Sequence, residues 1–156
     1  MSKLVSVLVS CGVLAVKGIG AELPEKHYLD QAAVRAMVKA AQAEATRRNA
    51  HVTLCVVDES GNLLYLEKGD GAPLNTIQFA QRKARHAASY GSPSKNAQDA
   101  VRGGKADLLA LPDYFPNQGG VPIKVNGELL GGIAASGASS DVDEAIAQTG
   151  LEALGK

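Results

Sequence analysis

Val121-Pro122-Ile123-Lys124-Val125-Asn126-Gly127-Glu128-Leu129-Leu130-Gly131-Gly132-Ile133-Ala134-Ala135 is the stretch on which the fold turns. Two apolar runs, Val121–Val125 and Glu128–Ala135, meet at Asn126-Gly127. That dipeptide accepts positive φ at both centres of a type I′ turn, so the runs pair as a hairpin. Pro122 has no backbone donor, which places its strand at a sheet edge or near its own start. Gly131-Gly132 in the return strand implies a bulge, or something large lying close to the backbone.

A second hairpin lies upstream. His51–Val57 carries Val52, Thr53, Val56 and Val57 with both faces nearly apolar, the pattern of an interior strand. Asp58-Glu59-Ser60-Gly61-Asn62 is dense in turn formers, and Leu63–Leu66 returns. Helices flank the hairpins. Leu29, Ala33, Met37 and Ala40 recur at helical spacing, with Ala32, Ala36 and Ala43 beside them, in a helix that ends near Asn49. Gly69-Asp70-Gly71-Ala72-Pro73 is a tight loop leading to Asn75 or Thr76 as the next helix cap. That helix carries one stripe of Ile77, Ala80, Ala84 and Ala87 and another of Phe79, Lys83, His86 and Tyr90, and Gly91-Ser92-Pro93 stops it. Ser94 caps a further helix with Ala97, Val101 and Leu108, weakened by Gly103-Gly104. Residues 112–120 form a loop. Asp141 and Glu144 have capping-box-like spacing before a last helix with Val142, Ala145, Ile146 and Thr149. The order α-β-β-α-α-β-β-α, without long crossovers, predicts an α/β (α+β) fold: an antiparallel sheet of two hairpins flanked by helices.

The first residues read as an address. Met1-Ser2-Lys3 is a short positive region, Leu4–Val16 is largely apolar, and Gly18-Ile19-Gly20-Ala21 offers small residues for cleavage. Residues 1–21 are therefore expected to be a secretory signal, too short for a spanning helix, followed by a single domain over 22–156 that is periplasmic or secreted, with no transmembrane span in the mature chain. Two alternatives stand beside it: a lipid anchor at Cys11, because Leu8-Val9-Ser10-Cys11 resembles a lipobox, and an uncleaved apolar segment. Without Cys11 the mature chain keeps Cys55 alone, so no intrachain disulfide forms; with no Cys-x-x-Cys, a thiolate zinc site is excluded.

The charge balance sets nucleic acid aside. There are 16 basic and 16 acidic residues, and loss of Lys3 and Lys17 with the leader leaves 14 against 16, a formal charge of −2. Scattered basic residues and 4% aromatics give neither a phosphate-binding stripe nor stacking platforms.

Asp58-x-x-Gly61-x-Leu63, Asp70-Gly71-Ala72, Lys83-Ala84, Gly119-Gly120-Val121-Pro122-Ile123 and Ser136-Gly137 occur in one order over roughly residues 29–154. In that order they resemble the GlcG/HbpS family, which is related to the C-terminal domain of PduO-type proteins. The resemblance implies a profilin-like or roadblock-like domain, assembly into homo-oligomers, haem (tetrapyrrole) binding and, in some members, haem degradation. The chain departs from the family pattern at Lys68, where Arg is common, at His86, where Thr is common, and at Ala134, where Gly is common.

On that basis His86 is the candidate axial ligand of haem iron, and Lys83, one turn earlier, the partner of a propionate. Asp70, Gly71, Gly120 and Pro122 are candidates for the pocket wall. Structural readings compete at each position: a solvated or snorkelling helix residue at His86 and Lys83, an Asx turn at Asp70-Gly71, a loop entering a strand at Gly119–Pro122. A surface role is expected for His51 and His27. Ser136-Gly137 precedes a helix N-terminus crowded by Asp141, Asp143 and Glu144, which favours capping over anion binding. The alternative function is a cofactor-free enzyme in which Asp70, Lys83 and His86 do acid–base work on a small organic acid or aromatic catabolite. A third reading is a scaffold or sensor partner whose residues are all structural.

Overall fold

The computed structural model describes residues 23–155. The leader, the Cys11 anchor and the uncleaved-segment alternative lie outside the described residues.

The elements are α1 (Gln31–Arg47), β1 (Thr53–Asp58), β2 (Leu63–Lys68), α2 (Thr76–Tyr90), α3 (Ser94–Arg102), a 3-10 turn (Ala106–Ala110), β3 (Gly120–Val125), β4 (Glu128–Ser136) and α4 (Ser140–Glu152). The four strands form one antiparallel sheet in the order β2-β1-β4-β3. Each hairpin supplies one edge strand, and the hairpins join through β1 and β4, from Thr53 opposite Ser136 to Asp58 opposite Gly131. Pro122 sits on an edge, as its missing donor requires.

Side-chain alternation along the two central strands divides the core into two layers. Leu54, Val56, Ile133 and Ala135 face α1 and α4, where Val34, Met37, Val38, Ala41, Ile146 and Ala147 cover them. Cys55, Val57 and Ala134 face α2 and meet Ala80, Ala84 and Ala88. Burial of Cys55 pushes its thiol up to about 12. The domain is thus a three-layer sandwich with the sheet between α1/α4 and α2.

The alanines of α2 let its backbone lie almost on the sheet. A Cβ at Gly132 would stand 2.3 Å from the Ala84 carbonyl oxygen, so only glycine fits beneath the helix there. This is the close approach that Gly131-Gly132 implied. The adjacent bulge also exists: pairing steps from Ile123–Gly131 to Lys124–Leu129, leaving Leu130 over. A second bulge was not anticipated. On β2, Val56 pairs Tyr65 but Val57 pairs Leu63, so Leu64 is the extra residue on an edge strand.

Several boundaries differ from the sequence expectation. The buried stripe of α1 is Val34, Met37, Val38, Ala41 and Ala45, while Ala32, Ala36 and Ala43 are exposed. An alanine-rich helix offers little contrast from which to choose its inner face. Thr76 caps nothing by accepting; its hydroxyl donates to the Pro73 carbonyl at 2.6 Å and is met by Thr53 of β1 at 2.7 Å, which pins the start of α2 to the sheet. The cap position before α3 is Pro93 rather than Ser94; the buried Ser94 hydroxyl accepts the Gly120 N–H at 2.9 Å and ties α3 to β3. Gly103-Gly104 ends α3 outright, so Leu108 falls in the 3-10 turn. Ser139, not Asp141, holds the cap position of α4, and Asp141 lies in its first turn.

Candidate functional site

Lys83 lies in the middle of α2, on the side that faces the sheet. Its side chain is 2% exposed. It crosses the entry of β3, where Gly119 and Gly120 leave room: a Cβ at Gly119 would stand 2.8 Å from the Lys83 ammonium, and one at Gly120 2.3 Å from the Lys83 carbonyl oxygen. Beyond the glycines Nζ donates to Asp143 Oδ2 of α4 at 2.8 Å and to the Ala135 carbonyl of β4 at 3.1 Å. Asp143 is 2% exposed, and its second oxygen accepts the Ala138 N–H at 3.0 Å. The pair therefore joins helices that cover opposite faces of the sheet. Burial dominates both groups: it pulls the Lys83 ammonium below the ordinary lysine range and pushes the Asp143 carboxyl above its own, while the mutual attraction works against both shifts.

The glycine wall expected at Gly119–Pro122 is real as a close approach, but Lys83 and its own helix backbone occupy it. Pro122 is a half-buried residue of edge strand β3, opposite Gly132.

His86 is one turn further along α2 and 2% exposed. Its ring stacks on Tyr90 at 4.8 Å between centroids and meets the edge of Tyr114 at 5.1 Å. Nδ1 accepts the backbone N–H of Phe115 at 3.1 Å. Burial holds its pKa below the usual histidine value. A neutral ring that accepts at Nδ1 carries its proton on Nε2. Ligation of iron through Nε2 would require the other tautomer and the loss of the Phe115 bond. The loop before β3 is further fastened by Tyr90, whose hydroxyl donates to the Pro112 carbonyl at 2.5 Å, and by Arg82 over the Phe115 ring at 4.1 Å.

Asp70 is exposed in the loop after β2. Its carbonyl accepts from His51 Nδ1 at 2.7 Å, and the His51 ring packs against Gly71. His51 is exposed, as expected, but precedes the strand rather than starting it, since β1 begins at Thr53. Asp70 and His51 share a shallow cleft with Gln42, Thr46 and Glu67. The fold does not bring Asp70, Lys83 and His86 to one open cavity, since two of the three are enclosed by protein. Nor do the described residues contain a cluster of three or more His, Cys, Asp and Glu placed to hold a metal.

Sequence reasoning missed a cleft between the first turns of α1 and β2. It has a volume of about 530 Å³ and is lined by Leu29, Gln31, Val34, Arg35, Leu63, Leu64 and Tyr65. The β2 bulge lies at its wall, where the extra residue Leu64 lines the cleft beside Tyr65. Leu63 and Leu64 are 51% and 42% exposed. The Tyr65 hydroxyl donates to Glu67, and burial together with that carboxylate pushes its pKa up to about 12. Its only sequence signal was a pair of leucines on a strand that proved to be an edge.

These features define a class: an α/β/α sandwich around a four-stranded antiparallel sheet, closed by a buried ion pair and open along one edge. The chain belongs to the HbpS-like family, whose model, described as haem degrading protein HbpS-like, matches residues 29–152. The GlcG protein of Escherichia coli K12 is 32% identical over 111 residues, covering 71% of this chain and 83% of that protein. An uncharacterized 15.0 kDa protein from the dhaT-dhaS intergenic region of Citrobacter freundii is 31% identical over 128 residues, covering 78% and 88%. Among solved structures, a double mutant of Streptomyces reticuli HbpS matches with TM-score 0.80 and 32% identity, over 93% of this chain and 99% of that one. A PduOC–haem complex shares the fold at TM-score 0.76 and 24% identity, over 83% and 96%.

Proposed function

We propose that this chain is an exported haem-binding protein that works as a homo-oligomer. The observation that carries the reading is membership, over nearly the whole described domain, in a family described as haem degrading, together with the 0.80 TM-score to HbpS. The geometry is compatible with it. A cleft of about 530 Å³ with mainly apolar walls falls within the range of small-molecule sites, about 300–1,000 Å³. The acid–base alternative gains no such support, because its three residues share no cavity. The scaffold reading predicted no pocket and a large shared interface. It loses ground to this cleft and to the burial of Ala80, Ala84, Ala87 and Ala88 of α2 within one subunit, while Ala32, Ala36 and Ala43 of α1 are exposed. Export rests on the leader, and no described helix is long and apolar enough to cross a membrane.

The test is a haem titration of residues 22–156 followed at the Soret band, with light scattering to count subunits. Saturable binding at micromolar haem by an oligomer is expected; a flat titration refutes the reading. Storage, sensing and degradation are separated by adding reductant in air to the complex. A persistent Soret band indicates a holder or sensor of haem, and its loss with release of iron indicates degradation.

A further inference from the structure

We infer that the tetrapyrrole is held in the α1–β2 cleft, with Arg35 as the partner of its carboxylates, and not at Lys83 and His86. This rests on the haem reading above and assigns its site. Three observations carry it.

The first is charge. Among the residues lining the cleft Arg35 is the one charged side chain, and it takes part in none of the ion pairs among the described residues. A free guanidinium at the lip of an apolar cleft suits a flat apolar ligand with carboxylate arms, because its planar fork meets a carboxylate with two parallel hydrogen bonds. The other cleft of equal volume, lined by Lys124, Val125, Gln148, Leu151, Glu152, Leu154 and Gly155, sets both signs of charge at its wall and would repel as well as attract an anion.

The second is the bulge at Leu64. Leu64, the extra residue, and Tyr65 both line this cleft, and Leu63 and Leu64 are left 51% and 42% exposed there. Exposed leucines gathered at the wall of an apolar concavity mark a surface that is covered when the protein works. The third is exclusion. Lys83 is bonded inward to Asp143, and the Nδ1 lone pair of His86 is engaged by Phe115, so neither side chain is free to meet a ligand without dismantling the core.

The experiment is equilibrium titration of the full mature chain with haem, and in parallel with haem dimethyl ester, which lacks free carboxylates. The variants are Arg35→Glu, Leu64→Glu and His86→Ala. Arg35 and Leu64 are exposed, so both substitutions should leave the thermal melt unchanged, which is checked first. Arg35→Glu should weaken haem binding by roughly tenfold or more, as reversal of a pairing charge does, while leaving the dimethyl ester unaffected. Leu64→Glu should weaken both ligands. His86→Ala, compared at a temperature where it stays folded, should keep the wild-type affinity. If wild type binds haem and both cleft variants bind like wild type, the assignment is wrong. Loss of binding in His86→Ala alone overturns it in favour of the α2 site. Absence of binding by the wild type fails the haem reading itself, and the assignment with it.

Discussion

Replacing Lys83 by Met leaves the Asp143 carboxylate inside the protein with no counter-charge. The two groups stand 2.8 Å apart. At an effective dielectric of about 20, that separation corresponds to about 6 kcal/mol of attraction, most of it offset by the desolvation of two ions. The net value of the intact pair is therefore small, whereas removing one partner exposes the other's desolvation in full, at about 3–5 kcal/mol. In a domain of this size that lowers Tm by about 10–20 °C. Asp143→Asn should cost a similar amount, since it strands the ammonium while the side-chain oxygen can still accept from Ala138. The double variant Lys83→Met/Asp143→Asn should recover about 1–3 kcal/mol relative to the sum of the singles.

The pH dependence gives the sharper test. With Lys83 gone, burial acts on Asp143 opposed only by the backbone N–H groups of Ala138 and Gly137, and its pKa already lies above its ordinary 3.8. Such a group contributes stability below its unfolded pKa and loses it as pH rises through the folded one, so Lys83→Met should be nearest to wild type around pH 4 and fall behind toward pH 7. Asp143→Asn should behave oppositely. The Lys83 pKa is held below its ordinary 10.5, so the cost of a buried ammonium fades only as pH climbs toward that value. Urea melts from pH 4 to pH 10 on the two singles and the double measure all of this. Singles within about 1 kcal/mol of wild type, additive and with parallel pH slopes, would refute the argument that this pair holds the two helix layers together.

Other consequences can be checked on the same material. Gly132→Ala places a Cβ 2.3 Å from the Ala84 carbonyl oxygen and must push α2 off the sheet, so a loss of about 1–3 kcal/mol in urea melts is expected. The imidazole of His86, read by NMR, should titrate below the usual 6.5, because burial disfavours its charged form; its folded pKa being depressed, stability is present above that range and is lost as pH falls through the folded value. His86→Ala should speed hydrogen exchange at the Phe115 amide and cost about 1–3 kcal/mol for the orphaned donor. Cys55, buried with its thiol at about 12, should resist thiol reagents at pH 8 until the protein is unfolded.

Local chemistry made much of the fold legible. Asn126-Gly127 and Asp58–Asn62 carry their turns in their own residues, and Pro122 announces its edge through a missing donor. Elements of this kind follow from short-range constraints on φ, ψ and hydrogen bonding, which each residue brings with it. The element order and the antiparallel sheet of two hairpins came from those signals, and the family from five short motifs in sequence order. The inner face of α1 stayed hidden, since alanine at nearly every turn gives no hydrophobic contrast.

The site was less readable, because it depends on residues that meet only through the fold. Lys83 beside an alanine stripe was visibly unusual in sequence, yet nothing local could tie it to Asp143, 60 positions away on a helix across the sheet. Gly119 and Gly120 read equally well as a ligand wall or as a passage, and only packing showed that Lys83 uses the passage. His86 looked free on a helix until the loop at Phe115 closed over it. The α1–β2 cleft forms where the start of α1 meets the bulged edge strand, two segments that only the fold brings together. Sequence alone thus determined the elements and their order, because turn and strand preferences act over a few residues. Tertiary structure decided which polar groups are spent inside and which surface remains for a ligand, because burial and pairing are properties of contacts between distant segments.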